Sequence, residues 1–395
     1  MRFEFATATR ILCGEGVVRE VASAARELGT RALLVTGRSE QRSAPMRAEL
    51  AEAGITCHTF RVDGEPTVEG VQLGAKIAGA ERCDLVIGFG GGSALDAGKA
   101  IAALLTNSGD LLDYLEVIGR GQPLRVAPAP FIAVPTTAGT GTEVTRNAVL
   151  ASQADQVKVS LRSPLMLPRL AVVDPELTLD LPPEVTARTG LDALTQLIEP
   201  YVSNRANPLT DGFCLEGLAR ASRSLRRAYH DGQDRAARAD MSVASLLGGL
   251  ALANAALGVV HGFAGPVGGM FPAPHGAVCA ALLPYGIETN IRALRGRQPD
   301  GETLRRYTTI ARLLTGRPQA TAEDVVEWTR EICRELRIPS LRAYGVREGD
   351  WPALLERAMR ASSMKGNPIA LTPDELREVL ARACGCGSDP EANHD

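Results

Sequence analysis

Residues 84–99, with the sequence DLVIGFGGGSALDAGK, constrain the fold more than any other stretch of the chain. Residues 85–87 are apolar and predict a short strand, which runs into Gly88, Gly90, Gly91 and Gly92. We expect a helix to begin near Ser93, whose hydroxyl could cap it. A helix N-terminus offers free N–H groups and a partial positive charge, so this unit predicts a phosphate-binding turn.

Neither of two named phosphate motifs is complete in this stretch. The dinucleotide fingerprint G-x-G-x-x-G has Ser93 at its last glycine position. A P-loop would need a glycine at Ser93 and Ser or Thr after Lys99, where the chain has Ala100. The alternative interpretation is therefore a strand-to-helix turn that needs glycine only for its backbone conformation.

The first half of the chain alternates predicted strands with predicted helices. Strand patterns lie at residues 31–36, 56–62, 131–134 and 170–173, and helical patterns lie at 44–53 and 67–80. Such alternation is typical of a parallel sheet with helices on both faces. We expect this α/β domain to span residues 1–180, ending near the sequence DLPP.

The second half is rich in helical patterns and poor in β-rich runs. Helices are predicted at residues 183–203, 208–230, 236–259, 303–314, 322–336, 350–361 and 373–383. We therefore expect an all-helical domain over residues 181–385 and a disordered tail over residues 386–395.

Composition excludes several classes of protein. The net charge of −3 over 395 residues gives no electrostatic case for nucleic-acid binding. No apolar run reaches the roughly 18 residues of a membrane span, and MRFEFATATR lacks the apolar core of a signal peptide. Eight cysteines scattered over a long chain favour reduced thiols in the cytoplasm. Cys384 and Cys386 could form a metal clip, although a polar tail follows them.

A second candidate binding segment is PTTAGTGTEVT at residues 135–145, which follows a predicted strand. Its hydroxyls and exposed backbone N–H groups could bind phosphate or a carboxamide. A polar loop that only caps the next element is the alternative.

Four residues of the helical half could form a metal site. Asp192 and Gln196 are four residues apart, so both lie on one helix face. His261 follows the apolar residues AALGVV, which places it at the end of a predicted helix, and His275 lies in FPAPHG. Two histidines and a carboxylate suit iron(II) or zinc. Taken singly, Asp192 could be a helix-surface charge and His261 a core histidine.

The chain resembles the iron-containing (group III) alcohol dehydrogenase family over about residues 5 to 380. The segments that carry the resemblance are GFGGGSALDAGKA, VPTTAGTGTEVT, VVDPELTLDLPPEVTARTGLDAL and GVVHGFAGPVGGMFPAPHG. The resemblance implies a Rossmann-like dinucleotide-binding domain and an all-helical metal domain, the architecture of dehydroquinate synthase. It places the active site in the cleft between the two domains.

The resemblance also implies roles for individual residues. The expected cofactor-binding positions are Gly90, Gly91, Gly92, Ser93, Asp96, Thr136, Thr137, Gly139, Thr140, Lys158, Leu177 and Leu181. Lys99 belongs to the same motif as Asp96. The expected metal ligands, three of which we expect to be catalytic, are Asp192, His261 and His275, with Gln196 at the fourth position.

Two positions depart from the family pattern. Gln196 stands where the family usually has a histidine, and its neutral amide should weaken iron or zinc binding and favour oxygen-liking ions. Gly265 stands where many relatives have a further histidine, so the obvious general acid is absent.

A third sequence feature concerns the choice of cofactor. Gly37 occupies the place where NAD-preferring relatives often carry aspartate, and Arg38 follows it. An acidic residue there would bind the ribose 2′-hydroxyl and repel a 2′-phosphate. The sequence therefore predicts a slight preference for NADP over NAD.

The resemblance implies reversible hydride transfer between NAD(P)(H) and an alcohol or aldehyde at an iron(II) or zinc site. We expect a homodimer without nucleic-acid or membrane partners. Two alternatives remain: a catalytically altered, metal-independent protein that binds nucleotide, and a metal-dependent sugar-phosphate lyase. The lyase should carry basic residues near the histidines, and GFAGPVGGMFPAPHG has none.

Overall fold

The computed structural model describes residues 2–385. In this part of the chain the strands are β1 (Ile11–Cys13), β2 (Arg31–Thr36), β3 (Thr56–Arg61), β4 (Leu85–Gly90), β5 (Phe131–Pro135), β6 (Asn147–Ser152), β7 (Val157–Arg162) and β8 (Leu170–Val173). Six of them form one parallel sheet in the order β1-β8-β5-β4-β2-β3. The other two, β6 and β7, pair as an antiparallel hairpin.

Helices cover both faces of the parallel sheet. They are α1 (Val21–Arg26), α2 (Glu40–Glu52), α3 (Val68–Ala80), α4 (Gly92–Thr106) and the short α5 (Leu111–Tyr114). Along β2, Leu33 and Val35 join the core cluster of α3 and α4, whereas Ala32 and Leu34 join the cluster of α1 and α2. Alternate residues of one strand thus face opposite layers, which confirms the predicted α/β class.

The rest of the described chain is helical. Its helices are α6 (Pro183–Val202), α7 (Pro208–His230), α8 (Arg235–Ala255), α9 (Val259–Met270), α10 (His275–Arg297), α11 (Glu302–Thr315), α12 (Asp324–Glu335), α13 (Trp351–Arg360) and α14 (Pro373–Ala383). One continuous apolar core joins them. The all-helical second half is therefore confirmed, while the predicted tail at 386–395, which includes Cys386 of the possible metal clip, lies outside the described residues.

The helix predicted over residues 236–259 is present as α8, but its predicted end is four residues too late. Helix α8 ends at Ala255, Ala256 has a φ of +60°, and α9 begins at Val259 after Gly258. A residue with a positive φ cannot continue a right-handed helix. As a result His261 lies in the first turn of α9 and not at the end of a helix.

Three other details also differ from the sequence predictions. Helix α4 begins at Gly92, with Gly91 as its N-cap and no capping bond from a side chain, so Ser93 is not the cap. Helix α2 begins at Glu40 and not at residue 44. Helices α9 and α10 and strands β1, β6 and β7 had no sequence prediction, because short edge strands and helices interrupted by proline give weak patterns.

Helix α8 is long and apolar enough to cross a membrane by length and composition. Most of its apolar window, 61%, is buried inside the protein. A core helix of a folded domain passes the same test, and α8 packs against α6 and α7.

A buried lysine fixes the loop after β5 to the sheet. Lys99 on α4 is 1% exposed, and its Nζ donates to the carbonyl oxygens of Thr142, at 2.9 Å, and Asn147. The same Nζ lies 3.5 Å from Asp96 Oδ1. Asp96 accepts hydrogen bonds from Thr142 Oγ1 at 3.0 Å and from Val149 N at 3.1 Å. This pair therefore ties α4 to residues 142–149.

Replacing Lys99 by methionine should lower the free energy of unfolding by about 3–5 kcal/mol, because the buried Asp96 loses its cation. Lys76→Met is the matched control, since Lys76 is an exposed lysine on α3. It should change stability by less than about 0.5 kcal/mol. Urea unfolding followed by circular dichroism measures both variants. Equal midpoints for the two variants would contradict the structural role of Lys99.

Candidate active site between the sheet and the helical domain

The glycine turn is packed tightly on both sides of Gly91. A Cβ on Gly90 would lie 2.7 Å from Ala94 Cβ and 3.4 Å from Gly37 N, and one on Gly92 would lie 2.8 Å from Thr140 Cγ2. Gly91 itself has an extended backbone, and a Cβ there would meet no atom closer than 3.5 Å. The turn thus brings the ends of β2 and β4 together at the N-terminus of α4, with space in front of Gly91.

The threonine loop after β5 lies between this turn and the helical domain. Thr136 N donates to Gly90 O at 2.8 Å, which joins the loop to the end of β4. A Cβ on Gly139 would lie 2.7 Å from Thr189 Cβ, so the loop backbone packs directly on α6. The glycine turn and the threonine loop therefore lie together, and the residues they contribute are Gly90, Gly91, Gly92, Thr136, Thr137, Gly139 and Thr140.

Lys158, one of the predicted cofactor residues, lies close to α9 and influences the predicted metal ligand His275. Its side chain on β7 is 5% exposed, and Nζ lies 3.1 Å from Glu65 Oε1. A Cβ on Gly268 of α9 would lie 3.0 Å from that Nζ. Burial, offset by the Asp192 carboxylate, lowers the pKa of His275, and the charge of Lys158 lowers it further.

The other predicted cofactor residues occupy the edge of the sheet and the linker. The guanidinium of Arg38 would lie 3.8 Å from a Cβ on Gly64, so it reaches across the ends of β2 and β3. Leu177 packs against the sheet core, and Leu181 is buried with its carbonyl accepting from Arg238 at 3.3 Å. Ser93 and Asp96 lie in the first turns of α4.

The predicted metal ligands converge from three helices. His261 Nε2 lies 3.5 Å and His275 Nε2 lies 3.8 Å from Asp192 Oδ1. Asp192 and His261 are buried, whereas the side chain of His275 is 35% exposed, so the cluster opens at His275. A Cβ on Gly276 would overlap the carbonyl of Arg188, so glycine allows α10 to approach α6 closely enough for His275 to reach Asp192.

A fourth donor, Cys279, joins this cluster. It lies one turn after His275 on α10, and its Sγ is 3.7 Å from Nε2 of both histidines. The ligand atoms of the four residues all lie within 4.8 Å of one another. Burial raises the pKa of the Cys279 thiol to about 12, so ionisation of this thiol requires a nearby cation. The sequence H-G-A-V-C places Cys279 four residues after His275. This spacing indicates a shared helix face only once residue 275 is known to begin a helix.

The donor set fits a divalent metal ion. Asp192 Oδ1 and Gln196 Oε1 are buried side-chain oxygens without a hydrogen-bond partner among residues 2–385. Burial would raise the pKa of Asp192, but the neighbouring imidazoles hold that pKa below its ordinary value. A carboxylate, two imidazoles and a sulfur are donors that zinc and iron(II) accept.

Glu199 is a functional residue that the sequence interpretation missed. Its Oε2 lies 2.7 Å from His261 Nδ1, and its Oε1 accepts a hydrogen bond from Val260 N at 2.7 Å. Such a carboxylate orients a ligating imidazole and raises its basicity. Asp192, Gln196 and Glu199 follow one another at helical spacing on α6, which was the available signal.

Gly265 lies on α9, four residues after His261. A Cβ built there would meet nothing within 4 Å among the described residues. The position therefore has open space, which leaves room for water beside the cluster.

Comparisons with known proteins identify the family. The chain matches the model "Iron-containing alcohol dehydrogenase" over residues 8–175 and "Fe-containing alcohol dehydrogenase family, C-terminal" over residues 186–384. It is 38% identical to "Alcohol dehydrogenase 4" of Schizosaccharomyces pombe, covering 86% of this chain and 78% of the relative. It is 36% identical to "1,3-propanediol dehydrogenase" of Citrobacter freundii, covering 85% of each chain.

Solved structures show the same relationship. A crystal structure of "1,3-propanediol oxidoreductase" superposes with a TM-score of 0.88 at 33% identity, covering 97% of this chain and all (100%) of that one. Sulfoacetaldehyde reductase from Bifidobacterium kashiwanohense, solved in complex with NAD+, superposes with a TM-score of 0.85 at 26% identity, covering 98% and 100% of the two chains. Both halves of the chain are thus matched in sequence and in structure, and the chain belongs to the iron-containing alcohol dehydrogenase family of metal- and NAD-dependent oxidoreductases.

Proposed function

We propose that this chain transfers hydride between NADP(H) and a small alcohol or aldehyde, with Asp192, His261 and His275 holding a divalent ion. The observation that carries the proposal is the position of Thr189 and Asp192 on α6, three residues apart. Thr189 packs on the cofactor loop at Gly139, and Asp192 belongs to the metal cluster. A helix turn spans about 5.4 Å, so one turn joins the cofactor site to the substrate site.

Each residue of the cluster has a separate task in this mechanism. A divalent ion bound there supplies a Lewis acid for the substrate oxygen. Asp192 provides negative charge, His261 and His275 provide neutral nitrogen donors, and Glu199 holds His261 in position. The side chain of His275 is partly exposed, so we propose that substrate enters on this side of the cluster.

Proton exchange follows a different route from that expected with a histidine at residue 265. Gly265 has no acid or base, and the space beside it admits water. Protons are exchanged through this water or through the ribose hydroxyl of the nicotinamide.

The glycine turn binds the pyrophosphate of the cofactor in this proposal. The N-terminus of α4 supplies N–H donors and a favourable dipole for phosphate, and the open side of Gly91 admits it. The threonines at 136, 137 and 140 border the same space.

Replacing Gly91 by valine should abolish NAD(P)H binding, because the side chain fills the space proposed for phosphate. The fold should survive, since the Gly91 backbone is extended and a Cβ meets no atom closer than 3.5 Å. Gly79→Val, on an exposed position of α3 with nothing within 4 Å, is the matched control. Fluorescence titration with NADPH measures binding. Unchanged affinity in folded Gly91→Val would refute the assignment.

The preference for NADP(H) rests on Gly37 and Arg38. The end of β2 carries no carboxylate at Gly37, and the Arg38 guanidinium lies near Gly64 at the sheet edge. A guanidinium can bind a 2′-phosphate through charge-assisted hydrogen bonds.

We expect kcat/KM to be higher with NADPH than with NADH. Arg38→Ala should lower the NADPH value by roughly 10- to 100-fold, because a hydrogen bond to a charged group contributes about 1.5–3 kcal/mol. The NADH value should change little. Arg47 is also exposed and lies on α2, so Arg47→Ala is the control. It should leave both kcat/KM values unchanged. A clearly higher kcat/KM with NADH in the native chain would exclude the preference.

Metal dependence separates this mechanism from a metal-independent one in which Gln196 binds the substrate. Removing the metal with a chelator should abolish activity, and adding iron(II) or zinc should restore it. Gln196→His should retain metal more tightly, because it adds an imidazole donor. Aldehyde reduction with NADPH, beside metal analysis of the same samples, measures the effect. Full activity in verified metal-free protein would sink the metal-dependent mechanism.

The expected homodimer and cytoplasmic location stay predictions. Light scattering of the purified chain would test the dimer. Cys13, Cys57, Cys83, Cys214, Cys279 and Cys333 are free thiols in the described chain, which supports a reducing compartment.

A further inference from the structure

The position of the Cys279 sulfur, beside both histidines, suits a metal ligand. Cys279 is fully buried and follows His275 by one turn of α10, so both side chains lie on the same face of that helix. Its Sγ is equally far, 3.7 Å, from Nε2 of His261 and from Nε2 of His275. These are the same two nitrogens that lie near Asp192 Oδ1.

Four of the separations between these atoms match the spacing of ligands around one ion. The measured separations are 3.5 and 3.8 Å from the Asp192 oxygen to the two nitrogens, and 3.7 Å from the sulfur to each nitrogen. A tetrahedral ion with bonds of about 2.0–2.3 Å keeps its ligand atoms roughly 3.3–3.8 Å apart. Four of the six separations are therefore at ligand spacing, and the whole set lies within 4.8 Å.

Hydrogen bonding alone does not account for this arrangement. A thiol can donate to one of the two nitrogens and weakly accept from the other, so these sulfur contacts leave the oxygens of the site to be explained. Asp192 Oδ1 stays buried without a hydrogen-bond partner among the described residues, and so does Gln196 Oε1. Buried polar atoms are normally paired, so the unpaired carboxylate oxygen points to a missing cation.

We propose that the Cys279 thiolate is the fourth protein ligand of the metal, in place of the amide of Gln196. Of the proposed function, this inference requires only that the site holds a divalent ion. On binding, the S–H bond of Cys279 breaks, a sulfur–metal bond forms, and the proton leaves to solvent. The thiolate adds a negative charge and a soft donor, both of which the neutral amide lacks. Substrate oxygen would then bind by expansion of the site to five-coordinate.

This ligand set changes the expected metal. Gln196 as a ligand favours oxygen-liking ions, whereas thiolate and imidazole donors favour zinc. The proposal therefore predicts a site of one carboxylate, two imidazoles and one thiolate that selects zinc over magnesium and manganese.

The chain offers a matched control cysteine. Cys333 on α12 packs against the same helix as Cys279, and its Sγ donates to Ala280 O at 3.4 Å. Serine can keep that hydrogen bond. Cys333→Ser therefore makes the same chemical change close by, outside the donor cluster of Asp192, His261, His275 and Cys279.

Cobalt(II) added to metal-free protein reports directly on sulfur ligation. The native chain and Cys333→Ser should both show a near-ultraviolet thiolate-to-cobalt charge-transfer band that saturates at one cobalt per chain. Cys279→Ser should lose the band, and Gln196→Ala should keep it. A saturated native protein without the band would overturn the proposal, and this measurement needs no variant to fold.

Zinc affinity provides a second measurement that does not depend on activity. Competition with a colorimetric chelator should show Cys279→Ser weakened by more than roughly 100-fold, the upper range for loss of an outer-shell partner. Gln196→Ala and Cys333→Ser should bind zinc nearly as the native chain does. The proposal fails if Gln196→Ala loses affinity while Cys279→Ser keeps it.

The two proposals can fail separately. A charge-transfer band in a protein that is fully active without metal would support Cys279 as a ligand and overturn the metal-dependent mechanism. Metal-dependent activity without the band would support the metal-dependent mechanism and overturn Cys279 as a ligand.

Discussion

Close backbone contacts made by glycines on two sides of α6 are the constraint on which the rest of the structure depends. Gly139 brings the cofactor loop onto Thr189, and Gly276 brings the start of α10 onto Arg188. A side chain at either glycine would push a whole element away, because a Cβ there would lie within van der Waals overlap of α6. The distance between the cofactor site and Asp192 is therefore set by backbone packing and not by flexible side chains.

Polar side chains also fix the position of the first turn of α9. Val259 N donates to Asn367 Oδ1 at 3.0 Å, and Val260 N donates to Glu199 Oε1. These bonds satisfy donors that a helix N-terminus leaves free. A Cβ on Gly258 would lie 2.9 Å from Glu199 Oε1, so glycine is also needed here. His261 follows directly and is oriented by the same carboxylate.

Sequence patterns predicted the sheet better than the site. Buried parallel strands are continuous apolar runs, and β2 and β8 were found at their observed bounds. Helices α9 and α10 are apolar on most sides and contain proline, so they show no polar face to detect. The phase of a helix decides which residues share a face, so Cys279 could not be assigned before the start of α10 was known. Glu199 lies at helical spacing on the predicted helix α6 and was missed although that signal was present. The glycine turn was located between its strand and its helix because all three are adjacent in the sequence.

The origin of the cluster in distant parts of the chain has a consequence for folding. Asp192 and His275 belong to α6 and α10 and are separated by more than 80 residues of sequence (192 to 275). Joining such distant points restricts an unfolded chain strongly, and the entropic effect grows with loop length. An ion held here would therefore act as a reversible cross-link of the helical domain. Loading the protein with metal would then help to fold this domain as well as equip it for catalysis.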